Sequence, residues 1–157
     1  MDIVLLLFLI LLNGVLAMSE IAVVSSRQSR LQKLADDGSA GARSALALQH
    51  EPSIFLSTIQ VGITTVGILS GAIGEATLAI PLAQWLSAFP SLEEHASGLA
   101  LTLVVVTLTY FSVVVGELVP KHLGLLAPER VAALVAPPMN LLSLVARPLV
   151  WLLSSSS

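Results

Sequence analysis

Three long stretches without a charged side chain constrain this chain more than any other feature. They run from Ile3 to Ser19, from Ser53 to Gly74 and from Ala96 to Gly116. A helix needs ~20 residues to cross the hydrocarbon core of a bilayer, so each stretch is close to spanning length. Only 11% of the residues are charged, whereas soluble domains carry about 25%. The sequence therefore predicts an all-α membrane protein.

The chain is expected to form one transmembrane domain over residues 1–157, with spans at about 3–26, 53–74 and 98–119. The first stretch is not predicted to be a cleaved signal peptide. Asp2 stands where a signal peptide carries Lys or Arg, and the apolar run is too long for one.

Two segments outside the spans are predicted to be juxtamembrane helices, at about 31–50 and 128–153. The first has apolar residues at roughly helical spacing and a break at Asp36-Asp37-Gly38. Pro137-Pro138 divides the second, so we expect a proline-broken helical hairpin embedded in the inner face. A full fourth crossing is the alternative. Residues 75–97 are expected to form a loop that holds a short interfacial helix.

The distribution of basic residues predicts the orientation, because Lys and Arg favour the cytoplasmic side. The loop at 75–97 contains neither residue. With the N-terminus outside and the C-terminus in the cytoplasm, all seven basic residues share the inner side.

Glu117 closes the third uncharged stretch, in the sequence V-V-V-G-E-L-V-P-K, and Pro120 is expected to break the helix just after it. A carboxylate at the centre of a spanning helix costs ~2.5–3.5 kcal/mol, and less near an interface. A bound cation is the most direct compensation. The alternative is an ion pair with Lys121, four residues later on the same helix.

Several neutral oxygen ligands fall at a similar depth, judged from the ~1.5 Å rise per residue. Ser19 and Glu117 lie in the inner half of the membrane, and Thr64 lies nearer the middle. Ser57, Thr58 and Gln60 are also expected in the inner half of the membrane. A set of oxygens suits Mg²⁺ or Ca²⁺ better than zinc or copper. Taken singly, each hydroxyl is explained as well by a bond to its own helix.

Other classes of function lack support. The chain has no cysteine, and His50 and His122 are expected at the inner surface with His95 at the outer one, so a zinc site is not expected. No nucleophile and base stand in a catalytic pattern, so we do not expect an enzyme. Seven Lys and Arg residues give no basis for binding nucleic acid.

Three segments, one in each predicted span, resemble the transmembrane domain of the CorC/CNNM magnesium transporters. They are L-N-G-V-L-A-M-S-E-I-A at Leu12–Ala22, S-T-I-Q-V-G-I-T-T-V-G-I-L-S-G at Ser57–Gly71 and G-E-L-V-P-K at Gly116–Lys121. The resemblance implies a homodimer in the bacterial inner membrane, in contact with lipid, that exports Mg²⁺ in exchange for Na⁺. Each protomer would hold one ion.

The resemblance also implies the ligands of that ion, with Glu117 contributing its carboxylate and Ser19 its hydroxyl. The implied metal site consists of Glu117, Ser19, Thr64, Gly67, Ser70 and Gly116. Ser70 falls further out than Glu117, so either the second helix is kinked or Ser57 or Gln60 is the better ligand. Glu20 is expected to serve the coupling ion or a cation pair.

Full-length members of this family continue into cytosolic CBS modules that bind nucleotide. Nothing in the chain resembles these modules, so we expect the isolated membrane domain, with a regulatory CBS domain in the full-length protein. The alternative function is a membrane-anchored dimerisation or Mg²⁺-sensing domain that transports nothing.

Overall fold

The computed structural model describes residues 2–156, and these form six helices and no strand. The helices are α1 (Asp2–Ser25), α2 (Gln28–Asp36), α3 (Ala40–His50), α4 (Pro52–Leu86), α5 (Glu93–Leu126) and α6 (Pro128–Ser156). The predicted all-helical architecture is confirmed. Four of the helices, α1, α4, α5 and α6, are long and apolar enough to cross a membrane, so the expectation of three spans plus a hairpin is wrong in its last element.

Two short helices, α2 and α3, follow α1. Gly38 adopts a φ of 99°, a conformation that favours glycine, and it separates α2 from α3 at the expected break. Ser39 then caps α3, because its Oγ accepts a hydrogen bond from the backbone N–H of Ala42 at 3.1 Å. The polar turn between two amphipathic helices is therefore fixed by local chemistry.

The hydrophobic core lies where the C-terminal half of α1 meets α2, α3, α4 and α6. Leu31, Ile59 and Val23 are at most 2% exposed there. Gln49 of α3 closes the end of α1, since its Nε2 donates to Val23 O at 2.9 Å and to Ser26 O at 3.0 Å. These bonds satisfy carbonyls that the end of a helix leaves unpaired.

α6 is one continuous helix through Pro137-Pro138, not the predicted hairpin. A proline removes a backbone N–H and presses on the carbonyl four residues earlier, which for Pro137 belongs to Ala133. That carbonyl faces Gly41 of α3 so closely that a Cβ on Gly41 would overlap it. The close contact with α3 therefore falls on the turn of α6 that Pro137 weakens.

α6 contacts α3 and the residue that follows it. Asn140 Nδ2 donates to Ser44 O at 3.1 Å, and Arg147 Nη2 lies 3.2 Å from Glu51 Oε2. Near the start of α6, buried Glu129 accepts a hydrogen bond from the backbone N–H of Arg27 at 3.3 Å. These contacts tie α6 to the segment that connects α1 with α4.

α4 is longer than predicted, because it continues through most of the expected loop at 75–97 and ends at Leu86. The turn Glu75–Ala79 is π-helical, with the N–H of Ile80 bonded to Glu75 O. This wider turn comes just before Pro81 and relieves the contact between its ring and the preceding turn. The helix therefore passes a proline that was expected to lie in a loop.

α4 and α5 bury little of their apolar surface within the protomer. Only 17% of the most apolar window of α4 and 11% of that of α5 are buried. Side chains such as Ile68, Val106 and Tyr110 are more than 60% exposed. Apolar exposure on this scale fits helices covered by lipid or by another protein surface.

Candidate functional site

The sequence around Glu117 forms a second π-helical turn, Val114–Leu118. The N–H of Val119 donates to Val114 O, five residues back. As in α4, the wide turn precedes a proline, here Pro120, and α5 continues to Leu126. The expectation that Pro120 breaks the helix is therefore wrong.

Asn13 of α1 satisfies a carbonyl that Pro120 leaves without a donor. Its Nδ2 donates to Gly116 O at 3.0 Å, and Gly116 stands four residues before the proline. A Cβ on Gly116 would lie 3.2 Å from that nitrogen, and one on Gly14 would lie 2.9 Å from Pro120 Cγ. Glycines on both helices thus let α1 approach the π turn closely.

Glu117, Lys121 and Glu20 form a cluster of charges between α5 and α1. Lys121 Nζ donates to Glu117 Oε1 at 2.7 Å and lies 3.7 Å from Glu20 Oε2. The three side chains are only 30–43% exposed. Two carboxylates from different helices therefore face one ammonium group. The pair of Glu117 with Lys121 is the one expected under the alternative to a bound metal.

Ser19 is completely buried on α1, and its hydroxyl donates to Val15 O of the same helix at 2.6 Å. This is the bond that a serine in an apolar helix forms when no ligand is needed. Thr58 behaves in the same way, with a bond to Ile54 O at 2.8 Å.

Glu20 also lines a cavity of about 540 Å³ that we call the Glu20 cavity. Ser57 and Gln60 of α4 line the same cavity. These are the two residues that the sequence offered as replacements for Ser70. The structure thus brings oxygens of α1 and α4 together at the end of the cluster formed by Glu20, Lys121 and Glu117.

Gly67 and Ser70 lie elsewhere, in a second cavity of about 430 Å³ between α4 and α5. We call it the Glu75 cavity, because Glu75 is the acidic residue in its lining. Thr64 is exposed on the same helix. Of the six implied ligands, Gly116 and Glu117 are adjacent in the π turn, whereas Gly67 and Ser70 belong to another site.

Residues 2–156 contain no group of three or more His, Cys, Asp or Glu side chains positioned to hold a metal. The cluster can instead offer two carboxylates together with neutral oxygens. Asn13 Oδ1 is one further buried oxygen, and it has no hydrogen-bond partner among the described residues.

Sequence reasoning missed Asn13 and Glu75 as candidate functional residues. The signal for Asn13 was a lone amide in an apolar helix, which needs a partner when it is buried. The signal for Glu75 was its place directly after an uncharged stretch, but it was assigned to a loop.

The fold and these contacts define a multi-pass helical membrane domain with carboxylates in or beside its apolar helices. The chain belongs to the CNNM family, because the family profile described as "Cyclin M transmembrane N-terminal domain" matches residues 4–157. The resemblance to CorC/CNNM proteins is thereby confirmed.

Curated relatives resemble the chain over nearly all of its length. The UPF0053 protein sll0260 of Synechocystis sp. is 48% identical over 149 residues, which is 95% of this chain and 33% of the relative. Two proteins named "Polyamine export protein" are 34% identical in Salmonella typhimurium and 33% identical in Escherichia coli, over 92% and 96% of this chain. These alignments cover 32% and 33% of the two exporters, so the chain spans about a third of the length of these relatives.

Proposed function

We propose that this chain is the membrane domain of a cation exporter in which Glu20 and Glu117 hold the cation. The supporting observation is that both carboxylates lie within 4 Å of the Lys121 ammonium, at 3.7 and 2.7 Å. One ammonium neutralises only one of the two negative charges. A dication that replaces it matches the charge of the pair, which lowers the cost of keeping both carboxylates ionised among apolar helices.

Mg²⁺ is the first candidate for the exported ion. Carboxylates and neutral oxygens are the ligands it prefers, and it keeps several water molecules when it binds to proteins. Ser57 and Gln60 line the same cavity as Glu20. Their side-chain oxygens can accept hydrogen bonds from the water molecules of a hydrated ion. We further propose export coupled to Na⁺ by a homodimer in the bacterial inner membrane, with one Mg²⁺ in each protomer and a CBS domain in the full-length protein.

Polyamines are the second candidate. Two relatives are named for polyamine export. The group that lies between Glu20 and Glu117 is itself a primary ammonium. The end of a polyamine carries the same chemical group and can compete for the same oxygens.

A cation flux measurement tests the proposal. The purified chain is reconstituted in liposomes, and release of trapped Mg²⁺ or of a trapped polyamine is followed over time. We expect Glu117→Gln to slow release at least tenfold, because it removes the charge nearest the ion. Glu94→Gln, on an exposed carboxylate at the start of α5, removes the same charge away from the cluster and is the matched control.

Unchanged release by Glu117→Gln would contradict this role for the carboxylate. A protein that binds Mg²⁺ but releases neither cation would favour the sensing or dimerisation domain. The relative rates for Mg²⁺ and polyamine decide between the two candidate ions.

A further inference from the structure

The Glu75 cavity contains two polar side chains, Ser70 and Glu75, that form no hydrogen bond or ion pair among residues 2–156. Ser70 is only 8% exposed, and its hydroxyl makes no hydrogen bond within residues 2–156. Glu75 forms no ion pair with any described residue. Glu75 is an exposed residue, so its carboxylate is free to meet a ligand in the cavity. A carboxylate and a hydroxyl that line one cavity offer acceptors to a ligand with a positive charge and hydrogen-bond donors.

Most of the remaining cavity wall is apolar. Leu101, Val104 and Leu108 of α5 face α4 across the cavity, and Ile10 of α1 completes the wall. The volume of about 430 Å³ falls in the range of small-molecule pockets, ~300–1,000 Å³. α4 and α5 pack closely beside the cavity, because a Cβ on Gly74 would overlap Leu108 Cδ1.

This combination disfavours a metal ion. Mg²⁺ requires six oxygen ligands and releases water reluctantly, so an apolar wall offers it little. An ion with a charged head and an apolar stem matches both parts of the cavity. The head finds a carboxylate and a hydroxyl, and the stem finds aliphatic side chains.

We infer that the Glu75 cavity binds an aliphatic ammonium ion. The ammonium group lies against Glu75 and Ser70, and its methylene groups contact Val104 and Leu108. The binding follows from the cavity alone, whereas its part in transport rests on the proposed function. Since Gln60 and Glu75 are separated by about 22 Å along α4, this site is distinct from the Glu20 cavity.

A series of alkylammonium ions tests the inference. Binding of ethyl-, propyl-, butyl- and pentylammonium to the purified chain in lipid nanodiscs is measured by calorimetry, with protein-free nanodiscs as the blank. We expect the affinity to rise about fourfold for each methylene buried. 1-Butanol, which has the stem without the charge, should bind at least tenfold more weakly than butylammonium.

Two variants locate the ligand. Glu75→Gln should weaken butylammonium binding at least tenfold, whereas Glu94→Gln should not. Gly67→Leu should block binding by filling the cavity, and it should fold normally because a Cβ on Gly67 meets no atom within 4 Å. Gly98→Leu is the matched control, since Gly98 has the same free space but does not line the cavity.

Three results would overturn the inference. Glu75→Gln could bind butylammonium as tightly as the unchanged chain, or 1-butanol could bind as tightly as the amine. The third result is that butylammonium binding is lost in Glu117→Gln and in no other variant. The last would place the ammonium between Glu20 and Glu117 and leave the proposed function intact. Amine binding that depends on Glu75, in a protein that releases no cation from liposomes, would instead support this site and contradict the proposed function.

Discussion

Lys121 has one contact that the sequence offered as the alternative to a bound cation and one that the sequence could not indicate. The pair with Glu117 is local, because side chains four residues apart on a helix are neighbours. The approach of Glu20 depends on how α1 packs against the π turn, and no local pattern specifies that packing. A pair of neighbouring charges therefore becomes a cluster with two carboxylates only in the folded structure.

Lys121→Met should tighten Mg²⁺ binding about fivefold. An entering ion must break the ion pair between Lys121 and Glu117, and a partly exposed pair contributes at most ~1 kcal/mol. The variant removes that cost. Titration calorimetry on the purified chain measures the change. Arg147→Met removes the same charge from the exposed pair with Glu51 and should leave the affinity as it was. Weaker binding by Lys121→Met would mean that the lysine helps to hold the ion.

Besides α6, both α4 and α5 pass a proline that sequence rules assign to a helix end. In α4 and α5 a π turn ends two residues before Pro81 and Pro120. The sequence shows the prolines, but a donor from another helix, Asn13, satisfies the Gly116 carbonyl. A rule that considers one helix at a time could not include that donor, so the predicted end of α5 was too early.

Asn13→Leu should lower the free energy of unfolding by about 1–3 kcal/mol, because it leaves the buried Gly116 carbonyl without a donor. Urea titration in mixed micelles measures the change. Gln32→Leu removes an exposed amide bonded to Asp36 and is expected to change stability by less than about 0.5 kcal/mol. Equal stability of Asn13→Leu and the unchanged chain would show that the hydrogen bond does not support the π turn.

The contact between α3 and α6 makes a second prediction about packing. Gly41→Ala should destabilise the fold by about 1–3 kcal/mol, because the added methyl group meets the rigid Ala133 carbonyl. Gly98→Ala adds the same group where no atom lies within 4 Å. If both variants unfold at the same urea concentration, α3 and α6 are packed less closely than described here.

The apolar stretches were sufficient to predict a helical membrane domain, and the bounds of α1 agree closely with the first predicted span. The continuity of α6 could not be derived in this way, since Pro137-Pro138 predicts a break and the close packing of Gly41 on Ala133 is visible only in the folded structure. By length and composition α6 is a fourth candidate span, yet its polar contacts run along the segment between α1 and α4.

The orientation can be read with single cysteines, because the chain has none of its own. Ser91→Cys lies between α4 and α5, Gln32→Cys lies in α2, and Ser155→Cys lies near the end of α6. A membrane-impermeant maleimide added outside intact cells should label only Ser91→Cys, because segments rich in Lys and Arg favour the cytoplasmic side. Labelling of Ser155→Cys from outside would show that α6 crosses the membrane.

Binding of Mg²⁺ to the purified chain, before and after removal of the Glu117 carboxylate, is the most direct test of the proposed ion site. If Glu117 holds the cation, the unchanged chain binds one Mg²⁺ per protomer, and Glu117→Gln weakens that binding at least tenfold while Glu94→Gln does not. If Glu117→Gln binds Mg²⁺ as tightly as the unchanged chain, the carboxylate serves only to pair with Lys121, and the proposed ion site is wrong.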